Sequence, residues 1–494
     1  MNINEQRKTP FFTQLKKYGE SGVAPFDVPG HKLGRIENDL IKYLGKKTYL
    51  LDSNSPIGLD HLNKPTGVIL ESENLMADAC HADKAYFLTN GTTTGILAMM
   101  MSVCKANDKI ILPRNVHKSV INGLILSGAI PIFIKPNIDQ DLGIANDITY
   151  DNVKKAIDEH PDAVALLVIN PTYFGVVSDL KRITDLAHEH DMVVMTDEAH
   201  GAQFYFSDKL PISGMDAGVD ISASSMHKTA GSFTQSSIIL AQGKRINHQR
   251  LRTTLNMLQS TSPSSLLMAS IDVARKTMVF KGEKRIEKLL SMTEKAREKL
   301  KTIPGIKIID KTYIKAKGCY DFDETKIIIK VSELGLSGFE VYYMMKEKFN
   351  IQLELAESHI VLAVLTIGTK QSDLDRLYQG LKSLSNDYYK IKDQLAKVKF
   401  DYVFPEAYSR PRDAYHAPKL NVLLDEAVNE IAGESVMIYP PGIPILIPGE
   451  VITKEVVEDI KFYSSNSKAL HSDLDNQMIT IVDKEHWIKY SEEI

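Results

Sequence analysis

Residues 193–204 read VVMTDEAHGAQF. The run Val193–Thr196 is apolar or β-favouring, and it leads directly into Asp197, Glu198 and His200. A buried strand that ends on two acids and an imidazole delivers reactive groups to its carboxyl end, where ligands bind in open α/β sheets. The tetrapeptide DEAH suits two chemistries. It can hold the magnesium of a nucleic-acid-dependent ATPase, or it can set one carboxylate beneath a cofactor ring.

The surrounding sequence has the organisation such a strand needs. AYFLT (85–89), KIILP (109–113), AVALLVI (163–169), MVVMTD (192–197), DISASS (220–225) and SSIILA (236–241) read as strands. GILAMMMSVCK (95–105), SVINGLILSG (119–128) and the amphipathic DLKRITDLAHEHD (179–191) read as helices between them. Continuous apolar runs alternating with helices predict an α/β fold with a mostly parallel sheet covered on both faces. Residues 1–35 read as an N-terminal arm, because VAPFDVPGHKLG (23–34) carries prolines and glycines that disfavour a helix interior. The expected division beyond the arm is a large domain at 36–285, a small α/β domain at 286–385 and a C-terminal domain at 386–494. The long charged periodicity of 264–302 predicts helix, TKIIIKVS (325–332) and HIVLAVLTI (359–367) predict strands with a helix near 337–348, and the lysine-rich stretch 381–401 reads as a helix or linker.

Bulk properties exclude several classes. The chain has 494 residues, 43% apolar and 25% charged, with a formal net charge of −4. No basic footprint for nucleic acid is present. The three cysteines, Cys80, Cys104 and Cys319, suit neither a disulfide framework nor a metal site, which fits a reducing compartment. The amino terminus MNINEQRKTPFF has no apolar signal core, and no apolar run approaches a membrane span, so a cytoplasmic protein is expected. His188 and His190 in HEH do not share a helix face, so no metal is expected there.

The ATPase reading of DEAH requires a GxxxxGK[ST] loop, and no GK in the chain is followed by Ser or Thr. Two other stretches decide for the cofactor. TNGTTTGI (89–96) follows a strand and opens a helix, placing Thr92 and Thr93 where backbone amides favour an anion. SSMHKTAGSFTQSS (224–237) places Lys228 after a strand among small residues, as a Schiff-base lysine requires. His117 in RNVHKSV (114–120) sits at another strand end. A phosphate cradle, a strand-end carboxylate and a lysine fit pyridoxal 5′-phosphate. Its phosphate wants a helix amino terminus, its aldehyde wants an amine, and its ring nitrogen wants a carboxylate that keeps it protonated.

PFDVPGHKLG, NGTTTG, PRNVHKS, INPTYFG, DEAHG, SMHKTAGSFTQSS, PRDA and YPPGIPILIPGE occur here in the order found in the class-I ornithine/lysine/arginine decarboxylases. The resemblance runs from about residue 8 to about 465 and is to the short form, without the amino-terminal wing. It implies an aspartate-aminotransferase-like fold, PLP fold type I, in a homodimer with active sites at the subunit interface. It implies a basic amino acid substrate, with arginine ahead of lysine and ornithine. By position it implies that Lys228 binds the cofactor and Asp197 pairs with its ring nitrogen. His117 and Ala199 would flank the ring, and Thr92, Thr93 and Ser225 would hold the phosphate. His227 becomes a candidate proton donor, and Glu450 is expected to meet the distal cation of the substrate. The chain departs from the family pattern at His200, where some relatives carry tryptophan, and in NGTTTG, where Ser is commoner. An aminotransferase gripping a carboxylate with Arg410 or Arg412 is the rival reading, and a non-catalytic regulatory homologue is a second; Asp413 is a further candidate acid.

Overall fold

The computed structural model describes residues 1–389, 404–438, 442–466, 470–472 and 477–487. These divide into two compact units. The first comprises 1–103, 193–288 and 366–368, and the second comprises 104–192, 289–365 and 369–494.

The strands and helices that carry the sequence motifs are β1 (Lys84–Leu88), α1 (Gly91–Val103), β2 (Lys109–Pro113), α2 (Lys118–Ser127), β3 (Ile130–Ile134), β4 (Ala165–Ile169), α3 (Leu180–Glu189), β5 (Val193–Glu198), β6 (Ile221–Ser224) and β7 (Ser237–Ala241). Within the first unit the strand order is β1-β7-β6-β5. There β5 and β6 run parallel, with Met195 opposite Ile221 and Glu198 opposite Ser224, and β7 runs against both its neighbours. Within the second unit β4-β2-β3 is wholly parallel. Among these seven strands, β7 alone therefore opposes the common direction of its own unit, as the mostly parallel reading requires.

Every strand read from the apolar runs is present, shifted by at most three residues at either end. Among the seven labelled strands, β3 escaped that reading. β3 carries Pro131, which lacks a ladder donor and argues against a strand. It is accommodated because β3 stands at the end of the strand order, where one side of its backbone needs no partner. The helix expected at 95–105 instead starts at Gly91, whose φ of +73° makes the turn out of β1. Gly95 lets that helix lie close on the strands: a Cβ there would stand 2.9 Å from Leu88 Cδ1 and 3.1 Å from Ala223 Cβ.

The arm is built into the first unit. Its helix Pro10–Glu20 buries Phe11 and Leu15 completely, and the Phe11 amide donates to Ser72 Oγ at 3.1 Å. The stretch 264–302 is a single helix, α4 (Ser265–Lys301). In the second unit, strands Lys307–Ile309, Lys326–Lys330, Ile360–Val364 and Leu355–Ala356 form an antiparallel sheet. Helices Gly338–Phe349 and Gln371–Tyr388 share a core with it that contains Ile327, Ile329, Phe339, Val341, Leu377 and Leu381. A reciprocal cap between Ser337 and Glu340 starts the first of these helices. The lysine-rich stretch is helical to Tyr388, and its remainder from 390 lies outside the described residues. Toward the carboxyl end, Lys419–Leu423 pairs with Met478–Val482 and Val436–Ile438 with Ile443–Leu446, around Leu424, Val436, Leu446, Ile452 and Ile460. Residues 439–441 of YPPGIPILIPGE lie outside the described residues.

Among the described residues no helix is long and apolar enough to cross a membrane.

Candidate active site

The parallel pairing of β5 with β6 sets their carboxyl ends side by side, so residues just beyond them meet although about 28 positions separate them in the chain. Lys228 stands on the short helical turn Met226–Thr229 that follows β6. Its Nζ lies 2.9 Å from Nε2 of His200, just past β5. His200 is buried at 5% exposure.

The two acids of DEAH have different surroundings. Glu198 is fully buried and serves as an internal acceptor. Its Oε1 takes the Gly214 amide at 2.8 Å, and its Oε2 takes the Ser222 hydroxyl at 2.5 Å together with the Tyr205 hydroxyl. These bonds tie the end of β5 to β6 and to the 204–214 segment. Asp197 is also buried, yet among the described residues it accepts one hydrogen bond, from the Ala199 amide at 3.0 Å, and makes no ion pair. A buried carboxylate is costly unless a cation or several donors compensate it. Asp197 is thus the acid prepared for a cationic ligand.

The threonine loop is held to the lysine loop by its backbone. The Gly91 amide donates to the Gln235 carbonyl at 2.8 Å, and Gln235 Nε2 donates to Asn90 Oδ1 at 3.1 Å. Thr92 Oγ1 consequently lies 2.6 Å from Ser225 Oγ and 3.0 Å from Ser237 Oγ, at the start of α1. A helix start leaves its first amides without intrahelical acceptors, so this hydroxyl cluster is suited to an anion. Thr93 is exposed beside it. Thr94 turns back to Asn90 and caps the loop instead.

Two buried hydroxyls flanking the lysine turn, those of Ser224 and Thr229, have no hydrogen-bond partner among the described residues. An amine, a buried acid without a counter-cation, a hydroxyl-lined helix start and orphaned hydroxyls together match the aldehyde, ring nitrogen and phosphate of pyridoxal 5′-phosphate. The residues present therefore fit the group.

The histidine of the lysine loop itself faces elsewhere. His227 Nδ1 is 2.9 Å from the Ser236 carbonyl, so that nitrogen carries a proton and donates it. Burial, aided by the charge of Lys228 and opposed by the Ser236 bond, holds this imidazole below its ordinary pKa.

The second unit holds the other expected site residues. His117 caps α2, its Nδ1 accepting the Ser119 amide at 3.1 Å, which leaves the proton of a neutral ring on Nε2. Glu450 does not present a free carboxylate. It is 2% exposed, and Arg114 grips it with two bonds, Nε to Oε1 at 2.9 Å and Nη2 to Oε2 at 2.8 Å. The Ile447 amide adds a third bond to Oε2 at 2.9 Å, and Arg114 Nη1 also donates to the Pro444 carbonyl at 2.9 Å. A substrate cation would have to displace this guanidinium. Arg114 is the residue that sequence reasoning missed: it precedes the noticed His117 by three positions, but its partner lies 336 positions away. Removing one partner of a buried pair strands the other, at a cost of about 3–5 kcal/mol. Glu450→Ala is therefore expected to lower the thermal midpoint by several degrees with little change in substrate KM. Raised KM at unchanged stability would return Glu450 to the substrate.

The arginines of the rival reading are engaged as well. Arg410 makes a two-bond pair with Asp413, at 2.7 and 2.9 Å, and Arg412 donates to the Leu126 carbonyl at 3.1 Å. Among the described residues no cluster of three potential metal ligands occurs.

Comparison with known proteins agrees with this chemistry. Residues 9–373 match the model of the Orn/Lys/Arg decarboxylase major domain, and residues 393–471 match that of the Orn/Lys/Arg decarboxylase C-terminal domain. The chain is 43% identical over 458 residues to an arginine decarboxylase of Bacillus subtilis, covering 92% of this chain and 93% of the relative. The crystal structure of a Francisella novicida lysine decarboxylase shares the fold, with a TM-score of 0.84 at 20% identity over 96% of this chain and 81% of that one. A structure of SPT with PLP is similar at a TM-score of 0.52 and 14% identity, over 65% of this chain and 77% of that one.

Proposed function

The chain belongs to the Orn/Lys/Arg decarboxylase family, and on that premise we propose that it converts L-arginine to agmatine and carbon dioxide at the site built around Lys228. The observation that carries the reading is the placement of a lysine amine and of a buried Asp197, without an ion pair among the described residues, just at the ends of adjacent strands. The 43% identity to an arginine decarboxylase over nine-tenths of both chains supports arginine over lysine and ornithine.

Bound pyridoxal 5′-phosphate supplies an electron sink for the pair that the departing carboxylate leaves behind. The rest of the work falls to the chain. Lys228 would provide the amine that holds the aldehyde. Asp197 keeps a proton on the ring nitrogen, because an adjacent opposite charge favours the protonated form. Thr92, Thr93 and Ser225, with the amides that open α1, would hold the phosphate. Ala199, just past β5, would limit the tilt of the ring. His227, neutral at physiological pH and turned to Ser236, is better suited to holding the lysine loop than to donating a proton.

Each turnover takes up one proton at the former Cα. The protein's contribution is orientation and electrostatics.

A homodimer is part of the proposal. Phe26, Tyr43, Ile57 and Phe233 of the first unit are more than half exposed, and an apolar cavity of about 620 Å³ lined by Phe12, Leu51, Phe233 and Leu266 opens in the same unit. Apolar surface of this kind supports coverage by a second copy. A cytoplasmic location is supported by three buried cysteines, none of them in a disulfide.

The test is direct. Purified protein with pyridoxal phosphate is offered arginine, lysine and ornithine separately, carbon dioxide is measured, and the amine is identified by mass. Agmatine in clear excess over cadaverine and putrescine is the expected result. A different dominant amine corrects the substrate, and no carbon dioxide from any of the three rejects the reaction.

A further inference from the structure

His200 carries no assigned role, yet its imidazole meets the lysine amine. Its Nε2 is 2.9 Å from Lys228 Nζ inside a buried environment. Lysine nitrogen in its ordinary state is an ammonium with three donors and no acceptor, and a neutral imidazole offers one accepting nitrogen. Two positive groups at this distance would repel strongly, so the pair shares one proton rather than holding two. The neighbouring His227 turns its Nδ1 to the Ser236 carbonyl instead.

We propose that His200 is the proton acceptor and positioning residue of Lys228. The neutral ring accepts a hydrogen bond from the ammonium and holds Nζ at the end of β5. When the lysine is to act as a nucleophile, its Nζ–H bond breaks and an Nε2–H bond forms. The electron pair stays on Nζ, and the positive charge passes to the imidazole. No oxidant or co-reactant is needed. A free amine is almost wholly protonated at neutral pH, with a pKa of about 10.4, whereas imidazole at about 6.5 is a base matched to that pH.

The inference rests on the reading of Lys228 as the cofactor lysine, and its test separates the two. In cofactor-free protein, acetylation of Lys228 by acetic anhydride is followed against pH by peptide mass for wild type, His200→Leu and His200→Gln. Loss of the acceptor destabilises a part-buried ammonium, so the midpoint falls by about one pH unit in the leucine variant. The glutamine variant, whose amide oxygen accepts but takes no proton, restores the midpoint. At pH 7 it nevertheless captures pyridoxal phosphate at least about tenfold more slowly than wild type, as loss of a general base predicts. Equal midpoints in all three proteins, or equal capture rates in wild type and His200→Gln, overturn the proposal. The underlying reading is checked independently in wild type by borohydride reduction after loading. A pyridoxyl group mapped to another lysine refutes that reading while leaving the acetylation result to stand.

Discussion

Lys228→Ala protein is expected to lose decarboxylation by more than about 10⁴-fold, because an anchored amine contributes both covalent capture and the proximity terms that reach that order. The same variant loses the yellow absorbance that lysine-linked pyridoxal phosphate confers. Its fold should survive. The side chain is part-buried on a four-residue turn, and the backbone bonds that hold that turn, such as the Lys228 amide to the Ser225 carbonyl at 3.1 Å, do not involve Nζ. Absorbance and activity measured on the same preparation form the check. Full activity without the lysine would remove Lys228 from the mechanism, and a mapped pyridoxyl adduct elsewhere would name its replacement.

Asp197→Asn is expected to reduce kcat by about 10²–10⁴-fold, the range associated with a lost proton-managing group. The substitution conserves shape. The amide oxygen still accepts from the Ala199 amide, so the turn after β5 is preserved. What disappears is the charge. Without it the ring nitrogen of the bound cofactor loses its proton near neutral pH, and the electron sink weakens. The variant should also hold the cofactor less tightly, since a buried anion without a counter-cation becomes a neutral amide with none to seek. Cofactor content by absorbance and kcat at saturating cofactor distinguish the two effects. Wild-type kcat under saturation would show that the proton on the ring is held by something other than Asp197.

Adjacent acids in DEAH have opposite uses, and the contrast illustrates how a motif is divided by its surroundings. Glu198 is saturated by Gly214, Ser222 and Tyr205 and acts as a tie within the first unit. Asp197, one residue earlier and on the other side of the strand, faces no such donors. Side chains alternate across a strand, so neighbours in sequence enter different environments by geometry alone.

What the sequence determined by itself was whatever local pattern encodes. Apolar runs such as ALLVI and VVMT announced strands covered on both faces, and strand–helix alternation required a mostly parallel sheet. NGTTTG after a strand, and a lysine 31 residues beyond a strand-end aspartate, were enough to point to a phosphate-bearing aldehyde cofactor, because each part of that cofactor demands its own residue type at a strand or helix end. The resemblance of the eight motifs then supplied the reaction. Tertiary structure alone decided who meets whom. It put His200 rather than His227 on the lysine amine, since parallel strands bring together residues just past their ends whatever the chain length between them. It consumed Glu450 with Arg114, since a buried carboxylate must find a cation and the fold supplied one 336 positions away. It accepted Pro131 in a strand because that strand stands at an edge. Periodicity and propensity act over one or two turns of chain, whereas the partners of buried charges are set by packing. No local pattern contains them.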